Sequence, residues 1–137
     1  MNRILNICIC TVLALAGVVA DAQDSGYDVF NPIAKYISQG DAASLSQWFD
    51  KNLEITVISS SRNCSKNQAR QILRTFFDSY TPRSFQITHK ASEGNKKYVL
   101  GNLNAGGEIF LVTIYTSLSG DSYKIQQLVI TRQTAVY

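Results

Sequence analysis

At 137 residues the chain has room for one domain, and with 45% hydrophobic and 17% charged residues it is neither disordered nor collagen-like. A formal net charge of +3 is far from that of a nucleic-acid-binding arm, so no nucleic-acid partner is expected. Three cysteines exclude a disulfide framework and offer no zinc quartet, and a single histidine, His89, excludes a multi-histidine site; no metal or cofactor is expected.

Residues 1–22 read as a secretory signal peptide. Arg3 supplies the positive end, Ile4 to Ala20 is nearly all apolar, and Ala20-Asp21-Ala22 has small residues where cleavage needs them. Cleavage after Ala22 predicts a secreted or periplasmic protein that begins at Gln23 and has no membrane span. An uncleaved anchor is the competing reading, with an apolar run at the short limit for spanning. Cleavage would also remove Cys8 and Cys10, leaving Cys64 alone. That thiol is read either as a half-buried small residue before a helix, or as a reactive thiol or intermolecular disulfide partner beside a helix N-terminus with Arg62 and Lys66 nearby.

Val29, Ile33, Tyr36 and Ile37 form one face of a helix, with Asp28 or Asn31 as its cap, Pro32 in the first turn and Gly40 at its end. Asp41 should cap a second short helix with Leu45, Trp48 and Phe49 on its apolar face. Leu53 to Ile58 alternates and is β-branched, which predicts a strand. Ser60, Ser61, Arg62 and Asn63 read as a polar turn. Ser65 and Gln68 then stand in a capping-box arrangement that opens the longest helix, running to about Tyr80. Its buried stripe is Ala69, Ile72, Leu73, Phe76 and Tyr80.

Four strands are predicted after this helix: Ser84–Ser92, Lys97–Asn104, Ile109–Leu118 and Tyr123–Arg132. Gly94-Asn95, Gly106-Gly107 and Gly120-Asp121 separate them as hairpin turns, which predicts an antiparallel meander. Gly101 inside a strand predicts a bulge or bend. Helices followed by strands make an α+β domain in which helices cover one face of a curved sheet.

This order resembles the nuclear transport factor 2-like (cystatin-like) superfamily. The Gly40-to-Phe49 helix turn, the Ser65-to-Tyr80 helix and the terminal meander carry the likeness. More narrowly, the chain is similar to a family of small secreted bacterial proteins known as a domain of unknown function. Phe76-Phe77, Pro82-Arg-Ser-Phe85, Ile87-Thr-His89 and Ser92 carry that part, with Tyr98-Val-Leu-Gly101, Gly107-Glu-Ile-Phe110 and Tyr123-Lys-Ile-Gln-Gln-Leu128. The resemblance implies a cone of N-terminal helices packed on a strongly bent antiparallel sheet over residues 23–137. Because superfamily members include isomerases, dehydratases and binding modules, it does not choose among functions.

Five residues are candidates for a ligand pocket inside the cone. His89 is in phase with Phe85 and Ile87, and a desolvated imidazole there could donate and accept hydrogen bonds. Tyr98 and Tyr115 could add hydroxyls, and Gln127 is expected to share a strand face with Ile125 and Val129. Trp48 reads as a core anchor or a stacking platform. No carboxylate is evidently placed beside His89, so a non-catalytic binding domain for a small apolar ligand or an envelope protein is the leading expectation. An isomerase- or dehydratase-like enzyme using His89, or a pure assembly domain, are the alternatives. Lys66, Arg70 and Arg74 form a basic stripe along the long helix, either a site for an acidic partner or a solvated face. The strand carrying Ile109, Leu111 and Tyr115 on one side and Phe110, Val112 and Ile114 on the other is apolar on both faces, which predicts a homodimer.

Overall fold

The computed structural model describes residues 29–133. The predicted signal peptide lies outside them; within them no helix is long and apolar enough to cross a membrane. Helix α1 (Phe30–Gln39) turns Phe30, Ile33 and Ile37 inward and ends at Gly40, whose φ of 69° is the left-handed conformation that glycine takes without strain. Val29 holds the N-cap without a side-chain bond and the expected cap Asn31 lies inside the helix; Asp28, the other expected cap, lies outside the described residues. Helix α2 (Ala42–Leu45) is capped as expected, the Asp41 carboxylate accepting from the Ser44 backbone N–H at 3.0 Å. A single 3₁₀ turn (Ser46–Trp48) then hands the chain to the sheet. The Ser65–Gln68 capping box opens helix α3 (Lys66–Ser79), with both reciprocal hydrogen bonds formed.

Six strands form one mixed sheet: β1 (Phe49–Val57), β2 (Ser60–Ser65), β3 (Pro82–Glu93), β4 (Lys96–Ala105), β5 (Glu108–Ser119) and β6 (Ser122–Arg132), in the order β2-β1-β6-β5-β4-β3. The predicted meander is present, and the glycines of its three turns have positive φ. Two corrections apply. The sheet is not wholly antiparallel, because β1 pairs with β6 in parallel. Ser60–Asn63 is not a turn but the exposed edge strand β2, and the turn before it is Ile58-Ser59.

The helices cover one face of this sheet. Val99, Leu103, Phe110, Val112, Ile114, Ile125 and Leu128 point toward them and meet Ile33, Leu45, Leu73 and Phe76 in a single core. Each such side chain contributes about 1.5–3 kcal/mol when fully buried. The other face of the sheet is open. The ladder shifts register at Ile87/His89 and at Tyr115/Thr116, the places where a bulge bends a strand.

Candidate functional site

The bulge in β3 decides where His89 points. Ile87 pairs with Gly101, but His89 pairs with Leu100, so Thr88 is inserted and the alternation slips by one. His89 therefore leaves the inner face held by Phe85 and Ile87 and stands exposed on the open face. This corrects the expectation of an imidazole inside the cone, and the isomerase- or dehydratase-like reading loses the one residue on which it rested. A bulge in β6 moves Gln127 in the same way. Gln127 pairs with Tyr115, whereas Ile125 pairs with the buried Thr116, so Gln127 does not share a face with Ile125.

Tyr98, Tyr115 and Gln127 do come together, but on the open face. Glu54, Gln127, Tyr115, Tyr98 and Ala91 are successive ladder partners across five strands. The two tyrosine rings stack at 5.5 Å between centroids and line a trough of about 770 Å³ with Glu54, Lys97 and Gln127. Trp48 is half-buried against the core and lines none of the three concavities described here, which is the anchor reading. Arg70 and Arg74 border a polar notch with Asp41 and Asp78, while Lys66 is exposed in the first turn of α3. The basic stripe thus runs beside carboxylates for part of its length.

On the helix side, a cleft of about 370 Å³ opens between α3 and the β1–β2 hairpin. Its floor and walls are Ile55, Val57, Ile58, Ile72, Phe76 and Tyr80, and its rim is Ser60 and Arg62 on the hairpin with Thr75 and Ser79 on the helix. The spacing of Ile72, Thr75, Phe76 and Ser79 explains this: one helix face looks into the cleft, apolar below and hydroxyl-bearing above. Arg62 pairs with Ile55 across the hairpin, so it projects from the same side of the sheet. It has no ion-pair partner among the described residues, and no carboxylate lines the cleft.

The fold holds the walls of this cleft in place. Tyr80 packs on Phe76 and Phe110, and Arg132 donates to its hydroxyl at 2.8 Å while also pairing with Glu108 at 2.8 Å. Ile58, on the opposite lip, has a φ of 61°. A β-branched residue is disfavoured there by about 1–2 kcal/mol, and glycine normally takes this first position when only it has positive φ. The turn is pinned by the Ile58 N–H, which donates to the Ile130 carbonyl at 2.6 Å. The strain therefore places an apolar side chain on the lip of the cleft.

Cys64 is buried beside this region, and burial pushes its thiol up while Arg62 pulls the other way. That is the environment of an inert packing residue rather than an activated nucleophile. Among the described residues no cluster of histidine, cysteine and carboxylates could hold a metal ion.

Sequence reading missed the cleft. Arg62 and Ser60 were hidden in serine-rich turn composition, and Ile72, Phe76 and Tyr80 read only as core. The usable signal was the two-residue spacing of Ser60, Arg62 and Cys64, which fits an edge strand as well as a turn.

Residues 30–131 match the family described as domain of unknown function DUF4783. Among solved structures, a DUF4783 family protein from Bacteroides uniformis superposes with a TM-score of 0.75 at 18% identity, covering 79% of this chain and 100% of that one. A second, from Bacteroides ovatus, gives 0.74 at 19% identity over 77% of this chain and 96% of that one. An NTF2-like protein of unknown function from Cytophaga hutchinsonii gives 0.55 at 10% identity, covering 74% and 84%. At these identities the likeness carries the fold alone: an α+β NTF2-like domain of three helices and a six-stranded mixed sheet. No curated protein matches the sequence.

Proposed function

The chain belongs to the DUF4783 family, and we propose that it is a non-catalytic binding domain that takes a small apolar ligand in the cleft between α3 and the β1–β2 hairpin. The observation that carries this reading is the lining: five apolar side chains and the ring of Tyr80 form the floor and walls, with serine, threonine and arginine groups around them. Binding pockets are mostly apolar with a few placed polar groups, and about 300 Å³ is the lower end of their range. General acid–base catalysis needs a titrating group within hydrogen-bond reach of the substrate; the cleft offers an arginine, three aliphatic hydroxyls and Tyr80, whose hydroxyl is already engaged by Arg132. Tyr98, Tyr115 and Gln127, the residues expected to line the pocket, lie on the other face of the sheet, so the proposed ligand does not use them.

Fluorescence titration with the neutral probe N-phenyl-1-naphthylamine tests the proposal. Saturable enhancement is expected, and Thr75→Trp, which fills the mouth from an exposed helix position, should abolish it without lowering the melting temperature. Failure of the probe to bind, or undiminished binding by Thr75→Trp, would overturn the reading.

A second reading concerns assembly. Ile109 and Tyr115 are 42% and 41% exposed on the open sheet face. We propose that a second copy of the chain covers this face. Export through the predicted signal peptide would place both activities outside the cytoplasm.

A further inference from the structure

The cleft has an asymmetry that the binding reading does not use. Its only charged side chain is Arg62, exposed at the rim and without an ion-pair partner among the described residues. The strand pairing fixes the base of that side chain. Arg62 sits opposite Ile55, which is 1% exposed, and two residues before buried Cys64, so its stem leaves the sheet on the helix side. Ser60 lies two residues away on the same strand, and Thr75 and Ser79 face the hairpin from α3. Five donors in the guanidinium and three hydroxyls therefore ring the mouth of an apolar slot. A neutral apolar molecule would leave the guanidinium without a counter-charge. A diacid would leave one carboxylate on apolar floor, where an unpaired charge is costly.

From this complementarity we infer that the cleft is selective for an aliphatic monocarboxylate, its chain on Ile55, Ile58, Ile72 and Phe76 and its carboxylate at Arg62. The inference rests on the binding reading above and adds the chemical class. Ile58 adds to it: its φ of 61° is one that glycine normally takes, and its apolar side chain lines the same cleft two residues from Ser60.

Calorimetric titration with octanoate and octanol separates the charge from the chain. Because Arg62 is exposed, the carboxylate should bind about fivefold tighter than the alcohol, as expected for a surface ion pair of about 1 kcal/mol. Arg62→Gln should erase the difference and leave octanol affinity unchanged, whereas Arg62→Lys should retain most of it. Added salt should weaken octanoate and spare octanol. Equal affinities for the two ligands, or a preference that survives Arg62→Gln, would overturn the monocarboxylate assignment. Those results would leave the apolar-cleft reading standing if the naphthylamine probe still binds; loss of probe binding defeats both.

Discussion

Gly101 shows how one missing methyl group shapes the inner face. A Cβ built there would lie 2.6 Å from the Phe85 ring and 2.8 Å from the Gln86 carbonyl oxygen. The ring could swing away, but the carbonyl belongs to the neighbouring strand and cannot. Gly101→Ala should therefore cost about 2 kcal/mol, within the usual range for overpacking. A urea denaturation curve reads the effect directly; an unchanged midpoint would show that the strands separate freely here. The glycine was legible in the sequence as an irregularity in its strand. What the sequence did not carry was which strand bulges, because the insertion falls at Thr88 on the partner rather than at Gly101 itself. That single displaced residue turned His89 outward, and no pattern of hydrophobic spacing announces it, since Phe85, Ile87 and His89 alternate as cleanly on paper as any regular strand.

At the scale of elements, caps and turns were read most faithfully. Asp41, Ser65 with Gln68, and the turn glycines act locally, through side chain-to-backbone bonds and positive φ, so neighbouring residues suffice to find them. The β1–β2 hairpin was half lost for the converse reason. Its turn has no glycine, and β2 is an exposed edge strand whose serines carry no hydrophobic alternation. The Asp41 cap also has a pH signature. The Ser44 backbone N–H, then its hydroxyl, hold the Asp41 carboxyl below its ordinary value. A carboxylate depressed in the folded state stabilises above its unfolded pKa and loses that contribution as pH falls through the folded value. Asp41→Ala should thus lower stability by about 1 kcal/mol at neutral pH. The gap between variant and wild type should narrow below about pH 4, near the ordinary aspartate pKa. Thermal melts of both proteins across that range would check it, and a gap independent of pH would reject the charged cap.

Over the whole molecule, the two faces of the sheet divide the labour. The inner face is committed to the core, and the cleft opens only at the β1–β2 end, where α3 and the edge hairpin diverge from the packed interior. The open face presents Leu100, Leu111 and Val129, half-buried, beside the exposed Ile109 and Tyr115. Strands β3 to β6 run about ten residues each, so this face spans roughly 30 Å by 19 Å at ordinary strand spacing. That is roughly 570 Å² of flat area, at the lower end of the about 600–1,000 Å² per partner of a standard interface, which suits a modest symmetric dimer. Leu111 lies on β5, an interior strand of this face, with Asn102 and Thr131 as ladder partners. In a twofold arrangement Leu111→Lys would bring two like charges toward each other at little cost to the fold, since the side chain points away from the core. Sedimentation velocity should show a wild-type dimer and a Leu111→Lys monomer. Because the cleft belongs to the opposite side of the sheet, that monomer should bind the neutral probe as well as the dimer does. A monomeric wild type would reject self-association through this face, and probe binding lost together with the dimer would mean that the two sites are not separate.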